Sequence, residues 1–319
     1  MSLVIVETEA QLLSDVSKEA LTFARELNDA VEAVHVGDLP TAVASTLAAY
    51  GVSLVHVARH EALGSYAAAA SAAAVAQALA ASGAEILVAP GSPRGNEVLA
   101  HVAARTEAPM AANVVAVQGR SPLVVTRQVM GGAVLEDMSL DAPLAALSVA
   151  GHAVEAREAN SPGEAQIREF SPQITDSDLR AMVTRIEVSD EAADMSRLTR
   201  AKVVVGAGRG AGGPEGFGDV VELADLLGGA LGVSRVVTSL GWRPHHEQVG
   251  QTGSRISPEL YIPCGISGAI QHWAGCSSSQ TILAINTDPD APMVTRAQYA
   301  VIGDMHEILP AIIEELRRR

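Results

Sequence analysis

The chain has 319 residues, a formal net charge of −15, 48% hydrophobic residues and only 3% aromatic residues. This length can bury two hydrophobic cores, and this composition is typical of an ordered globular protein rather than a disordered one. A nucleic-acid backbone is bound through clusters of Lys and Arg. The only basic run, Arg317–Arg319, is better explained as a solvated helix end, so we expect no nucleic-acid partner.

The two cysteines and the N-terminus bear on the cellular compartment. Cys264 and Cys276 are twelve residues apart, a spacing that fits no zinc motif, and an apolar strand begins already at Leu3. We therefore expect two free thiols close to the ligand pocket that the segment 260–275 is predicted to form. We expect no structural disulfide, no metal site and no signal peptide. These features favour a cytoplasmic protein that is not embedded in a membrane.

The first part of the chain alternates short apolar runs with helical patterns. Strands are predicted at 4–6, 33–36, 54–57 and 86–89, and helices at 16–27, 41–49, 66–81 and 96–105. Continuous apolar strands between helices predict a parallel sheet with helices on both faces.

Beyond residue 108 this alternation stops. Strands predicted at 113–117, 123–130, 133–136 and 144–149 follow one another without helices, which favours an antiparallel extension. A last strand at 183–188 would close a first domain of residues 1–188, followed by a linker at 189–200.

The second predicted domain covers residues 201–319 and again alternates. Strands are predicted at 201–205, 235–238, 281–285 and 300–303, and helices at 220–231 and 307–316. Polar residues collect after the strands, at the edge where open α/β sheets bind ligands. The fold class is therefore α/β with two domains.

The segment from Leu260 to Gly275 is the most informative part of the second domain. Gly265 and Gly268 remove side chains where another group must approach closely, and Ser267 could cap the helix that follows. Gln271 and His272 offer hydrogen-bonding groups that an apolar core would not tolerate unpaired. We interpret this segment, with the polar turn 249–253, as a cofactor pocket.

Other motifs have two readings each. The Gly-rich loop 206–213 follows a strand and precedes a helix, so it could cradle a phosphate or form a plain tight turn. The turn 91–95 could hold an anion or be solvated, and Ser234–Arg235 could simply open a surface strand. His272 could be a core histidine, and metal binding by His245–His246 is the less favoured reading.

A combination of motifs then resembles a known family. The chain carries Val-Gly-Gln-Thr-Gly at 249–253, Pro-Glu-Leu-Tyr-Ile at 258–262 and Gly-Ile-Ser-Gly-Ala-Ile-Gln-His at 265–272. Together with Gly-Arg-Gly at 208–210, Ala-Ile-Asn at 284–286 and Asp-Pro-Asp-Ala-Pro at 288–292, they resemble the electron-transfer flavoprotein alpha subunit. The resemblance is dense over residues 201–319.

The resemblance implies a fold, a cofactor and partners. The first domain should be an adenine nucleotide alpha hydrolase-like parallel sheet that binds no nucleotide, and the second a DHS-like FAD/NAD-binding parallel sheet. One FAD would be held per alpha–beta heterodimer, with AMP in the beta subunit. Such a protein is an electron carrier rather than an enzyme with its own substrate. It accepts electrons from acyl-CoA dehydrogenases in fatty acid beta-oxidation and related dehydrogenases, and passes them to a quinone oxidoreductase.

The resemblance also implies roles for individual residues. Arg209, Ser234, Asn286 and the segment from Ser267 through Gly268 and Ala269 to Ile270 would contact the pyrophosphate and ribityl chain. Asp304, beside Met305, would hold the adenosine ribose. Redox tuning would come from Arg235 on the isoalloxazine face, Thr252 near N5 or O4, and His272 near O2. The remaining implied cofactor contacts are Val249, Gly250, Gln251 and Gln271.

Two other functions stay open at this point. One is an NAD(P)-binding oxidoreductase or transhydrogenase-type subunit on a similar fold, and the other is a structural partner that has lost its cofactor. Cys264 and Trp273 depart from the family pattern, with Cys264 a candidate for redox sensitivity and Trp273 for stacking on the flavin.

Overall fold

A computed structural model describes residues 1–28, 30–130, 134–151, 153–161, 163–185, 197–199 and 201–318. The chain divides into two compact units, one of Met1–Val129 and Leu135–Ile186, the other of Met130–Val134 and Glu187–Arg319. Within the described ranges, no helix has both the length and the apolar character needed to cross a membrane.

The first unit is built on a large sheet. The strands of this sheet are β1 (Ser2–Ile5), β4 (Val31–Val36), β5 (Val52–Ala58), β6 (Ile86–Pro90), β7 (Met110–Arg120), β8 (Leu123–Val129), β9 (Val134–Leu140), β10 (Ala145–Val149) and β11 (Gln166–Phe170), whereas β2 (Thr8–Glu9) and β3 (Leu12–Leu13) pair with each other in a separate antiparallel sheet. Its helices are α1 (Asp15–Leu27), α2 (Thr41–Ala49), α3 (Ala68–Ser82) and α4 (Pro93–Thr106). The strand order of the large sheet is β11-β5-β4-β1-β6-β10-β7-β8-β9.

Helices cover both faces of this sheet, as the sequence predicts. Leu21 of α1 and Leu47 of α2 belong to the core on one face, whereas Val75 of α3 and Leu99 of α4 belong to the core on the other. Burying each such side chain contributes about 1.5–3 kcal/mol, so the helices are fixed mainly by packing. A local signal also marks the start of α4, where the Ser92 hydroxyl accepts a hydrogen bond from the Gly95 N–H, whereas no side chain caps α2 or α3.

The predicted antiparallel extension is only partly correct. β8 pairs with β7 in antiparallel fashion. The strand predicted at 144–149 is instead β10, which pairs in parallel with β6 and β7 inside the sheet. The four strands do follow one another without helices, but β10 returns to the middle of the sheet, where Ala145–Val149 is fully buried.

The strand predicted at 183–188 is wrong for the residues of that range that the structure describes. Residues 183–185 are not in a strand, and 186–188 lie outside the described residues. One edge strand of the large sheet is β11, which pairs in parallel with β5, and the other is β9. The β11 sequence Gln-Ile-Arg-Glu-Phe is almost entirely exposed, so it lacks the apolar pattern that marks a strand. Of the predicted linker, 189–196 and 200 also lie outside the described residues, whereas 197–199 are helical and Leu198 is buried.

The second unit contains a smaller, fully parallel sheet. Its strands are β12 (Val203–Ala207), β13 (Ala230–Val233), β14 (Leu260–Cys264), β15 (Thr281–Asn286) and β16 (Tyr299–Ile302). Its helices are α5 (Gly218–Leu226), α6 (Arg235–Ser239), α7 (Ile270–Cys276), α8 (Pro292–Arg296) and α9 (Met305–Arg318). The strand order is β13-β12-β14-β15-β16.

This order creates a switch point beside β12. The chain moves from β12 to β13 on one side and then crosses back to β14 on the other. Connections that leave in opposite directions open a crevice at the carboxyl ends of the strands, which is where open α/β sheets bind ligands. The fold thus predicts a binding site after β12, β13 and β14.

Two predicted elements of this unit are wrong. The helix predicted at 220–231 ends at Leu226, and residues 230–233 form β13 instead. Gly228 has a φ of +63°, which stops the helix, and Gly229 packs so closely that a Cβ there would lie 2.4 Å from the Val203 carbonyl oxygen. The strand predicted at 235–238 is helix α6, because tertiary packing overrides the strand preference of its β-branched residues.

Candidate functional site

A cavity of about 620 Å³ lies at the carboxyl ends of the strands of the second unit. This volume is within the range of about 300–1,000 Å³ that is usual for ligand sites. Its lining includes all but one of the predicted site residues, namely Arg209, Ser234, Arg235, Val249, Gly250, Gln251, Thr252, Ser267, Gly268, Ala269, Gln271, His272, Asn286, Asp304 and Met305. We call this cavity the cleft.

Ile270 is the predicted contact that does not line the cleft. It is the first residue of α7, and its side chain is 51% exposed. Its backbone was predicted as part of the run 267–270, but the chain has already turned into the helix at this residue. A cofactor contact of the Ile270 backbone therefore stays a prediction, without support from the cleft lining.

Two cations reach the cleft without a partner from the protein. Arg209 stands in the loop after β12, and Arg235 is the first residue of α6. Neither guanidinium makes an ion pair or hydrogen bond with any described residue, and both side chains belong to exposed residues. Two unpaired guanidinium groups at one cleft suit a ligand that carries phosphate.

The glycines near the cleft serve backbone packing. A Cβ on Gly265 would lie 2.6 Å from the Gly210 Cα, and a Cβ on Gly268 would lie 2.4 Å from the Met293 nitrogen. Both glycines also have positive φ, +58° and +78°. The close approach predicted from the sequence is therefore real, but the approaching group is the protein's own backbone. The loop at 208–210 is held in the same way, since the Gly210 N–H donates to the Gly265 carbonyl.

Ser234 brings a buried hydroxyl to the cleft. It precedes α6, is 8% exposed, and its side chain does not cap the helix. Its Oγ is buried and has no hydrogen-bond partner among the described residues. A buried hydroxyl without a partner costs about 1–3 kcal/mol, so a ligand that bonds to it would recover this free energy.

Gln248 links α6 to the polar turn 249–253. It is only 2% exposed. Its Oε1 accepts a hydrogen bond of 2.5 Å from the Thr238 hydroxyl, and its Nε2 donates one of 3.0 Å to Thr252 Oγ1. Because the Thr252 oxygen accepts this bond, its own proton stays available for an acceptor in the cleft. Gln248 is not among the predicted site residues, although it lies directly before the Val249–Gly253 motif.

His272 is held at the back of the cleft. Its Nε2 is 2.8 Å from the phenol oxygen of Tyr261, whereas its buried Nδ1 has no hydrogen-bond partner among the described residues. Burial lowers the pKa of His272 to about 4, and the nearby Val249 backbone offsets this only in part. The imidazole is therefore neutral at pH 7.

Asn286 and Asp304 are partly committed to the protein. The Asn286 Nδ2 donates to the Ile266 carbonyl at 3.0 Å, and its Oδ1 accepts from the Asp288 N–H at 3.1 Å. Asp304 Oδ1 accepts from the His306 N–H at the start of α9, at 2.9 Å. Both side chains therefore shape the rim of the cleft, and each retains further hydrogen-bonding capacity.

Three smaller expectations can be compared with the structure: the Ser267 cap is wrong, Trp273 lies away from the cleft lining, and the two free thiols are confirmed. Ser267 does not cap α7, because the residue at the cap position is Ala269 and no side chain bonds the first turn. Trp273 lies under the Arg296 guanidinium, 5.3 Å from the ring centroid, and is not among the cleft residues. Cys264 and Cys276 are free and completely buried, and burial raises the pKa of each thiol to about 12.

The second possible anion site, the turn 91–95, is occupied by a carboxylate of the protein itself. Glu7 follows β1, and its carboxylate accepts a hydrogen bond of 2.7 Å from the Ser92 hydroxyl at the start of α4. The Gly95 N–H and the Arg94 charge also favour its ionised form, but burial outweighs them and raises its pKa. The group at this helix terminus is thus a side chain of the protein.

Several cleft residues were not predicted as contacts. Val236, Thr287 and His306 line the cleft beside predicted residues, and Asp288 and Ala291 belong to the motif at 288–292 without having been assigned a contact. Each directly neighbours, or lies within five residues of, a motif residue, so extending every motif to its adjoining loop would have found them. Across the ranges given for the structure, no three His, Cys, Asp or Glu residues are grouped as a metal site would require.

Comparisons with known proteins agree with this division of the chain. The family model described as "Electron transfer flavoprotein domain" matches residues 2–175, and the one described as "Electron transfer flavoprotein FAD-binding domain" matches residues 197–277. The Electron transfer flavoprotein subunit alpha of Thermoanaerobacterium thermosaccharolyticum is 33% identical, over 96% of this chain and 94% of its own. The same subunit of Mycobacterium leprae is 35% identical, over 100% of this chain and 98% of its own. That of Syntrophomonas wolfei subsp. wolfei is 50% identical over 38% of either chain.

Proposed function

This chain belongs to the electron transfer flavoprotein alpha-subunit family, and we propose that it holds one FAD in its second unit as half of an alpha–beta heterodimer. The observation that carries the proposal is the convergence of unsatisfied groups on one cleft. The Arg209 and Arg235 guanidinium groups, Ser234 Oγ and His272 Nδ1 all lack partners among the described residues. An anionic, polar cofactor would supply partners to all four.

The positions of these groups support separate contacts along the cofactor. Arg209 and Ser234 follow neighbouring strands β12 and β13, which suits the pyrophosphate and ribityl chain. Asp304, at the start of α9, would receive the adenosine ribose, with Met305 beside it. The turn 249–252, Arg235 and His272 would surround the isoalloxazine ring. The backbone from Ser267 to Ile270, Gln271 and the rim residue Asn286 would complete the contacts.

When bound, FAD supplies the capacity to take up and release single electrons. The protein's part is to stabilise the negative charge that an added electron brings. Arg235 offers a fixed cation, and His272 and Thr252 offer neutral hydrogen-bonding groups. One charge-assisted hydrogen bond is worth about 1.5–3 kcal/mol, which corresponds to a shift of about 100 mV in a one-electron potential.

We further propose the place of this subunit in electron flow. It would accept electrons from acyl-CoA and related dehydrogenases and deliver them to a quinone oxidoreductase, as a cytoplasmic electron carrier without its own substrate. AMP would lie in the beta subunit. In this assignment residues 1–188 form the alpha hydrolase-like domain, 189–200 the linker and 201–319 the DHS-like FAD-binding domain. The Glu7 carboxyl at the start of α4 supports a first domain without a bound phosphate.

Co-expression with the beta subunit encoded by the same organism tests the proposal. The purified heterodimer should be yellow, release one FAD on denaturation, and change its visible spectrum when reduced stepwise without NAD(P)H. A colourless complex that takes up no added FAD would refute the proposal. A complex that binds NAD(P)H but no flavin would favour the transhydrogenase-type alternative.

Arg235→Ala tests the role of the proposed flavin-facing cation. We expect both FAD midpoint potentials to fall, the first by about 100 mV, because a positive charge beside the ring is lost. Arg317→Ala removes the same charge from the surface of α9, where Arg317 pairs with Glu222, and should leave the potentials unchanged. Equal potentials in wild type and Arg235→Ala would contradict the assigned role.

A further inference from the structure

Tyr261 and His272 form a buried pair behind the cleft. Tyr261 is the second residue of β14 and is completely buried, and His272 is 6% exposed on the first turn of α7. The phenol oxygen and Nε2 are 2.8 Å apart, and the two rings are inclined by only 24°. Tyr261 itself does not line the cleft, so any effect it has on a ligand must act through His272.

The proton of this hydrogen bond can lie on either partner. If the phenol donates, Nε2 is bare and the proton of the neutral imidazole must be on Nδ1. If Nε2–H donates instead, the phenol proton needs another acceptor, and the structure gives Tyr261 no second partner among the described residues. A buried donor without an acceptor is costly, so the first arrangement is favoured.

Burial keeps both groups in the states that this arrangement needs. It raises the pKa of Tyr261 well above its usual value, so the phenol keeps its proton, and it lowers the pKa of His272 to about 4, so the imidazole stays neutral.

We propose that Tyr261 is a positioning residue that fixes His272 as the neutral Nδ1–H tautomer. His272 then faces a cleft ligand as a hydrogen-bond donor, and it cannot act as an acceptor through Nδ1. This inference rests on the proposed function, because the acceptor we assign to that donor is the pyrimidine side of FAD. It extends the proposed function by naming the residue that decides which way the hydrogen bond runs.

Space for the phenol is provided by the neighbouring strand. A Cβ on Gly206 of β12 would lie 2.6 Å from the Tyr261 phenol oxygen. Gly206→Ala would therefore displace the phenol without removing it. It offers a second way to disturb the pair that does not change the chemistry of either partner.

The tautomer can be measured directly in the heterodimer with ¹⁵N-labelled histidine. Long-range ¹H–¹⁵N correlations distinguish Nδ1–H from Nε2–H, and the loss of one set of signals in His272→Asn assigns His272. We expect Nδ1–H in the wild type. Finding Nε2–H, or a doubly protonated ring at pH 7, would overturn the inference. This measurement needs neither bound FAD nor a folded Tyr261 variant.

Tyr261→Phe tests the consequence for the cofactor. Without the phenol, we expect Nε2–H to become populated and the equilibrium constant for the first electron uptake by FAD to fall about tenfold, which equals about 59 mV. In the His272→Asn variant the Asn side-chain amide is a donor whatever its neighbours, since an amide has no tautomers of this kind. Adding Tyr261→Phe to that variant should therefore leave the first FAD potential unchanged. Tyr50→Phe, which removes a buried phenol from the first unit, is the matched control.

The outcomes separate the two proposals. A wild-type heterodimer without FAD refutes the proposed function, while its His272 tautomer still decides the inference. FAD bound normally, with potentials and tautomer unchanged in both Tyr261→Phe and Gly206→Ala, refutes the inference alone. The inference is supported if Tyr261→Phe changes the His272 tautomer and lowers the first FAD potential, while the same substitution leaves the potential of His272→Asn unchanged.

Discussion

Gly275 in α7 lies directly against Gly250 in the polar turn beside the cleft, so closely that a Cβ on Gly275 would be 2.3 Å from the Gly250 nitrogen. No flexible side chain is available there to move aside, since both contacting groups are backbone. The turn 249–253 can therefore take this position only because Gly275 has no side chain. The positions of Gln251 and Thr252 depend on the same contact.

Gly275→Ala should push this turn away from α7. We expect a loss of about 1–3 kcal/mol in unfolding free energy, as is usual for overpacking, and at least tenfold weaker FAD retention by the heterodimer. Urea denaturation and flavin release on dialysis measure the two effects. Gly218→Ala is the control, because a Cβ there meets nothing within 4 Å and α5 has an ordinary backbone at that residue. Normal FAD retention in Gly275→Ala would show that the turn does not depend on this contact.

Gln248→Leu should disturb the cleft without touching its charges. The substitution leaves the hydroxyls of Thr238 and Thr252 without their shared partner, so Thr252 is no longer fixed as a donor. We expect the Kd for FAD to rise about tenfold, or about 1.4 kcal/mol. Gln118→Leu removes a similar Gln–Thr hydrogen bond from the first unit and should leave the Kd unchanged. An unaltered Kd in Gln248→Leu would argue that Thr252 is held by the backbone alone.

Glu7→Gln should change how stability depends on pH. Burial raises the folded-state pKa of Glu7 above its ordinary value of 4.5, so the folded chain binds the carboxyl proton more tightly than the unfolded chain. Its stabilising contribution is therefore complete below pH 4.5 and is lost as pH rises through the raised pKa. Gln cannot ionise, so the loss of stability in this window should be smaller in the variant.

Urea midpoints between pH 4.5 and 7.5 measure this effect. Glu61→Gln, at an exposed position, should follow the wild-type curve. If Glu7→Gln also follows that curve, the Glu7 carboxyl is not the group responsible.

The two thiols should be unreactive in the folded protein. With a pKa of about 12 instead of 9.0, each holds about a thousandfold less thiolate at pH 8, and neither side chain is exposed. A chromogenic disulfide reagent should therefore label no thiol in the native chain and two in urea, with Cys276→Ser reducing the second value to one. Rapid labelling of the native chain would revive Cys264 as a redox-sensitive group.

Much of the second unit could be predicted because its signals are local. The run Leu260–Cys264 is apolar and ends at Gly265, and it forms β14. Arg209, Asn286 and Asp304 stand at or just after strand ends in the sequence, and parallel strands end at the same sheet edge. Their convergence on one cleft therefore needed only the alternation of strands and helices.

Local preference failed where distant residues decide. Arg235–Ser239 contains β-branched residues that favour a strand, yet it forms helix α6 beside the cleft. β11 has no apolar pattern and is a strand only because β5 offers its free edge. Both elements depend on neighbours that the local sequence does not contain.

The sequence by itself determined the α/β class, the family and nearly all residues of the cleft, because these follow from periodicity and from motifs of adjacent residues. Only the tertiary structure decided what the residues contact. It placed Gly210 against Gly265, Glu7 on Ser92, and Tyr261 on His272. Such contacts join residues on different elements, and their geometry is set by how whole strands and helices pack rather than by any local pattern.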